Sequence, residues 1–271
     1  MEIAVDQALK TYSGGLGFLA GSHMKSAFEL RQNLIGVSVL WKYGYYDQVR
    51  QTDNAMAVQF REKIYSFLED TGIQFSIDVL GEPVQVRAYF LPPTLFQTVP
   101  LFFLTTDVEG NSPETRAISY RLYDNDERLK IAQCMLLGIG GAKLVDALKY
   151  TPDVYHLNEA HALPAAFYLY QKLGSVEKLR QRLVFTTHTP EEAGNEKHNI
   201  DLLDDLGFFG KVPLNEVRKI SGTEDHVFNH SLVALRLSRQ ANGVSKLHGE
   251  VARHMWEPYA GIAPITHVTN A

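Results

Sequence analysis

Two hydrophobic periods alternate along the chain. Five short runs are continuously apolar and rich in branched or aromatic residues: "NLIGVSVLW" (33–41), "VPLFFLTTD" (99–107), "DVYHLN" (153–158), "RLVFTTH" (182–188) and "PITHVTN" (264–270). Runs of that length and content predict strands covered on both faces. "FSIDVL" (75–80) and "VQVRAYFL" (84–91) alternate apolar with polar instead. Joined through "GEP", they predict an antiparallel hairpin added to the main sheet. Longer patterns at helical spacing cover 56–70, 127–150, 159–173, 212–219 and 227–257. Strands alternating with helices predict an α/β fold, a doubly wound, Rossmann-like domain around a mostly parallel sheet. No repeat, low-complexity tract or linker rich in Pro, Gly or Ser interrupts the pattern, so residues 1–271 read as one domain.

Composition narrows the function classes. The chain is 45% hydrophobic and 21% charged, which is ordinary for a globular protein and ample for a large core. A net charge of -5 argues against a nucleic-acid binder that works by bulk electrostatics. One cysteine, Cys134, excludes an intramolecular disulfide and suits a reducing cytoplasm; its apolar helical setting makes it a core residue. "MEIAVDQALK" has neither the basic nor the apolar region of a signal peptide, and no apolar run is long enough for a membrane span. No H-E-x-x-H, paired Cys/His cluster or G-x-S-x-G is present, so no metal and no serine-hydrolase elbow is expected.

In open parallel sheets, ligands bind outside the carboxyl ends of the strands. "LNEAH", "TTHTPEEAG" and the final "TN" fall there, and "TYSGGLGFLAGSHMKSA" (11–27) adds a glycine turn ahead of a helix. Amides at such a turn can bind phosphate, and glycine leaves room for close approach. The spacing Gly15-x-Gly17-x-x-Ala20 also allows a dinucleotide fingerprint. However, no clear strand precedes it, and no acidic residue ends a second strand about 20 residues on. A tight turn is the plain alternative. "GIGGAK" (138–143) lies inside a helical pattern and reads as close helix packing. His188, at a strand end, could donate to a sugar hydroxyl or satisfy a structural bond. His161 reads as structural, holding loops together, and His156 as core. Asn158 and Glu159 read as caps of the following helix.

Together these segments resemble the α-glucan phosphorylases, the glycogen, starch and maltodextrin enzymes. The resemblance rests on "YSGGLGFLAGSHMKSAFEL…LIGVSVLWKYGYYDQ", "VYHLNEAHALPA", "VFTTHTPEEAG", "ANGVSKLHGEVARHMW" and "PITHVTN", in the family's order from Glu2 to Asn270. It implies the amino-terminal half of a glycosyltransferase B fold. It also implies a cytoplasmic enzyme that releases glucose 1-phosphate from α-1,4-glucan and inorganic phosphate, with pyridoxal phosphate as cofactor. Nucleic-acid and membrane partners are not implied, and a homo-oligomer is allowed. By resemblance, Gly14, Gly15 and Leu16 line the phosphate region and His188 is the catalytic residue at the reacting sugar. Asn270 and Val244 bind substrate, and Glu2 and His161 are structural residues near the cleft. The chain departs from the family at "VTNA", where "TNG" is usual, and holds no match to the segment with the Schiff-base lysine. The resemblance therefore implies a half-site that is inactive alone and binds no cofactor covalently, the carboxyl-terminal cofactor-binding domain being absent. A glycogen or starch synthase is the competing enzyme reading. It is disfavoured because Tyr12, not lysine, stands two residues before Gly14. A non-catalytic glucan-binding module is the reading from another class.

Overall fold

A computed structural model describes residues 1–270. The chain is mixed α/β and gathers into two compact units, Met1–Ile77 with Pro83–Leu137, and Asp78–Glu82 with the chain from Gly138 onward.

In the first unit the strands are β1 (Gly36–Val39), β2 (Asp47–Arg50), β3 (Met56–Gln59), β4 (Glu69–Val79), β5 (Glu82–Leu91) and β6 (Leu101–Thr105). Four of them form a sheet ordered β1-β6-β5-β4. β1 runs parallel to β6, with Gly36 opposite Leu101, and β5 runs antiparallel to β6, with Arg87 opposite Thr105. The expected hairpin is therefore present, but its turn is Leu80-Gly81 rather than "GEP". Both turn residues have positive φ, 58° and 83°, the conformation that matches the twist of a two-residue hairpin. The Gly15–Glu29 helix lays Ala20 and Ala27 into a core with Ile3, Val5, Leu9, Leu91, Leu101 and Phe103.

Residues 56–70, expected as a helix, begin instead with β3, paired antiparallel to β2 in a separate ribbon. Met56 and Val58, two residues apart as in a strand, are exposed. The turn between β2 and β3 decides the outcome: the Asp53 carboxylate accepts from Ala55 N–H at 2.9 Å and Asn54 sits at φ 68°.

The second unit holds β7 (Tyr155–Asn158), β8 (Leu183–Thr186), β9 (Lys197–Asn199), β10 (Val227–Asn229), β11 (Gln240–Gly243) and β12 (Ile265–His267). Its main sheet, β12-β11-β8-β7, is parallel throughout. β9 and β10 form a small antiparallel pair. In place of the single doubly wound sheet expected from the pattern there are two four-stranded sheets, and the β4–β5 hairpin pairs with the edge of β6 opposite β1. The run 227–257 is not one helix. It contains β10, a His230–Leu237 helix, β11 and a Lys246–Trp256 helix.

Around 138–143 the helical pattern is real, with a π turn at Leu136–Gly140 between two α-helices. A Cβ on Gly138 would stand 2.8 Å from Ala162 O and Ala165 N, so this glycine serves close packing, as expected. Phe167, Phe208, Phe209 and Phe228 are fully buried in the core of this unit. Cys134 is buried, and no described helix is long and apolar enough to cross a membrane.

Candidate functional site

The candidate residues fall into two groups, one in each unit. The first is the glycine loop. Glu2 is only 9% exposed, and one of its carboxylate oxygens accepts from Ser13 N–H at 2.6 Å and Gly14 N–H at 2.9 Å. The other accepts from the Tyr123 hydroxyl at 2.7 Å. Burial pushes the Glu2 carboxyl up, but these donors together hold it below the usual carboxylate range. Glu2 is therefore an anion built into the loop, and it uses the amides of Ser13 and Gly14. Gly15 and Leu16 are the first two helical positions, whose N–H groups have no acceptor within the helix. No other acceptor takes them among the described residues.

The glycines divide by the space around them. A Cβ on Gly14 or Gly15 would meet nothing within 4 Å. One on Gly17 would stand 2.5 Å from Tyr12 Cβ, and one on Gly21 would overlap the Ala4 carbonyl. Gly17 and Gly21, one turn apart, are thus packing residues, Gly17 against Tyr12 and Glu2 and Gly21 against Ala4 and Val5. The dinucleotide reading fails here, because its second glycine is committed to the protein's own chain.

The second group stands at the carboxyl ends of the parallel strands. Asn158, Thr186, Asn242 and Thr266 lie in one register row across β7, β8, β11 and β12. His188 follows β8. Its ring Nε2 lies 2.6 Å from Asn158 Oδ1, and its backbone N–H donates to the Glu159 carboxylate. The same carboxylate oxygen accepts from the Thr189 hydroxyl at 3.2 Å. Burial first, then the neighbouring His248 and His156, pushes His188 down to about 4. The ring is neutral at pH 7, and an oxygen acceptor at Nε2 places the proton there. In this tautomer the ring nitrogen left open, Nδ1, is an acceptor and not a donor.

Val244 and Asn270 are brought together directly, Asn270 N–H donating to Val244 O at 3.1 Å. Val244 N–H donates to His248 Nδ1 at 3.1 Å, which ties this loop to the first turn of the Lys246–Trp256 helix. His161 lies in the Ala160–Ala162 turn, and burial pushes it down to about 3. His156, expected in the core, is exposed on the edge strand β7, with Nε2 2.7 Å from the Thr186 hydroxyl. That hydroxyl donates to Asn242 Oδ1 at 2.9 Å. Asn158 and Glu159, expected as helix caps, are turned toward His188 instead. Sequence reasoning gave them that lesser role because N-cap chemistry accounts for Asn and Glu ahead of a helix, and nothing in the string links them to a residue 30 positions on. Among the described residues no cluster of metal-ligating side chains is present.

The neutral histidines have a consequence for stability. His230 is 1% exposed, with Nε2 2.8 Å from His198 Nδ1, and burial holds it well below the usual histidine value. A base whose folded pKa is depressed takes up its proton on unfolding. Stability is therefore lost as pH falls below about 6.5, down to the folded values. Between pH 7.5 and pH 5 each fully neutral histidine is expected to cost about 2 kcal/mol. Urea unfolding at the two pH values checks this, and an unchanged midpoint would contradict it.

No family model matches the chain. It is 45% identical to an uncharacterised protein of Methanocaldococcus jannaschii over 271 residues, which is all of this chain and 51% of that protein. The maltodextrin phosphorylase of Thermococcus litoralis is 35% identical over 99% of the chain and 34% of its own length. The glycogen phosphorylase of Mycobacterium tuberculosis is 32% identical over the whole chain and 36% of its own length. The fold and site define an α/β protein with polar residues gathered at the carboxyl ends of its parallel strands. The chain is homologous over its full length to part of the glycogen and maltodextrin phosphorylases. It spans about half the length, or less, of these curated relatives.

Proposed function

We propose that this chain supplies one half of a phosphorolytic active site, in a protein that releases glucose 1-phosphate from α-1,4-glucan and inorganic phosphate. The observation that carries the reading is the pair of unpartnered amides at Gly15 and Leu16, beside open space at a helix start. Two donors with no side chain between them and the anion suit a phosphate or phosphate monoester. The residues therefore fit the phosphate end of pyridoxal phosphate, the cofactor named by the family resemblance. When bound, its phosphate group would supply proton exchange with the substrate phosphate. Gly15 and Leu16 would orient that anion, and Glu2 would hold the loop in shape through Ser13 and Gly14. His188 would accept from a sugar hydroxyl through Nδ1, Asn270 would bind a sugar hydroxyl, and Val244 would lie near the sugar.

In this reading the chain is the amino-terminal half of a glycosyltransferase B fold, and the Schiff-base lysine lies in the remainder of the protein. The test is glucose 1-phosphate release from maltoheptaose and phosphate. The expected result is no release by the chain alone, no lysine adduct after pyridoxal phosphate and borohydride, and release once the chain is joined to the remaining part of a phosphorylase. Turnover by the chain alone near the ~10 s⁻¹ usual for enzymes would refute the half-site. A joined protein that folds and releases nothing would refute the reaction.

A further inference from the structure

Consecutive residues of a strand point to opposite faces. Asn158 and Glu159 are consecutive, yet both converge on one residue, Asn158 on the His188 ring and Glu159 on the His188 backbone N–H. The backbone explains how. Glu159 has φ 61° and ψ 175°, a region that is essentially reserved for glycine. Glu159 N–H still completes the ladder to Thr186 O at 3.0 Å, so the chain leaves β7 in register and turns at this one residue. The carboxylate is 6% exposed and faces residues 188 and 189 of the next strand's loop.

We propose that Glu159 is a positioning residue for His188: a glutamate held in a strained conformation so that its carboxylate and the Asn158 amide clamp His188 at both ends, leaving Nδ1 aimed outward. Burial pushes the Glu159 carboxyl up even with these donors in place, so the group does not earn its position by stability. A buried acid in a glycine-only conformation is costly on two counts, and such costs gather where geometry serves a site. The inference rests on the reading of His188 as a sugar-contacting residue and adds what fixes that residue.

The experiment compares Glu159→Gln, Glu159→Ala and Glu159→Gly by thermal melting and by long-range proton–nitrogen NMR of the histidine rings in the full chain. Glutamine keeps an oxygen acceptor, so His188 is expected to retain its single neutral Nε2–H signature in that variant. Alanine and glycine remove the acceptor, and His188 is expected to average between tautomers. Glycine ordinarily destabilises relative to alanine, but here it relieves the strain, so Glu159→Gly is expected to melt about 2 °C or more above Glu159→Ala. In the joined enzyme Glu159→Ala is expected to lower kcat about 10–100-fold, with KM for phosphate unchanged. An unaltered His188 signature in Glu159→Ala, a glutamine variant as disordered as alanine, or a glycine variant less stable than alanine would each overturn the proposal. The underlying reading fails by a different result, His188→Ala with intact turnover.

Discussion

His188→Ala in the joined enzyme is expected to lower kcat by about 10²–10³-fold, the scale for losing one well-placed hydrogen bond in a transition state. Phosphate affinity should be nearly unchanged, because the amides assigned to phosphate belong to the glycine loop and not to the His188 loop. The tautomer makes the prediction sharper. With Nε2 committed to Asn158, Nδ1 is the ring nitrogen left to meet a sugar hydroxyl in the proposed site, and it would do so as an acceptor. His188→Asn places an amide oxygen near the Nδ1 position and is expected to recover part of the loss. His188→Gln, whose amide reaches the Nε2 position, should recover less. Because His188 stays neutral down to about 4, its own titration should leave no inflection in the activity profile between pH 5 and pH 8. Steady-state kinetics of the three variants, each with a melting curve, checks this. Lower melting temperature with intact kcat would make His188 a structural residue.

The sequence reads clearly where burial is two-sided and less well elsewhere. β6 is buried at all five positions, and "LFFLT" could hardly be anything but a strand. β11 is "QANG", only four residues long with no branched or aromatic residue, yet it lies at the interior of its sheet between β8 and β12. Its state is set by neighbours on both sides, which no local window contains. The same holds at the site. His188, Val244 and Asn270 are visible as residues at strand ends, but the clamp on His188 depends on a positive φ at Glu159, and a glutamate gives no hint of one. The glycine loop is visible as a cluster, while the division of labour inside it depends on which glycines are packed against the protein's own chain.

That division gives the second large effect. Gly21→Ala is expected to cost about 3 kcal/mol, the upper range for overpacking. Its Cβ would fall on the Ala4 carbonyl, 2.5 Å from the carbon and 3.3 Å from Val5 N, and those are backbone atoms with no rotamer to change. Ala4 N–H also donates to Gly17 O at 2.9 Å, so the segment is fastened to the helix at the point where it would have to move. Ile3 and Val5, both buried, would be drawn from the core with it. For a chain of this size the melting temperature should fall by about 6–12 °C. Gly15→Ala should behave in the opposite way. Its Cβ meets nothing within 4 Å, so folding should be unaffected and the melting temperature unchanged or slightly raised. The methyl group would instead stand where an anion approaches the Gly15 and Leu16 amides. KM for phosphate in the joined enzyme should rise by about tenfold or more, with a fall in turnover, as expected when a close backbone contact to the reacting anion is lost. Melting curves and phosphate-dependent kinetics of the two variants separate the roles. A Gly21→Ala protein as stable as the parent would mean that the Ile3–Val5 segment is not seated on the helix. A Gly15→Ala enzyme with unchanged phosphate kinetics would mean that the loop does not hold the phosphate.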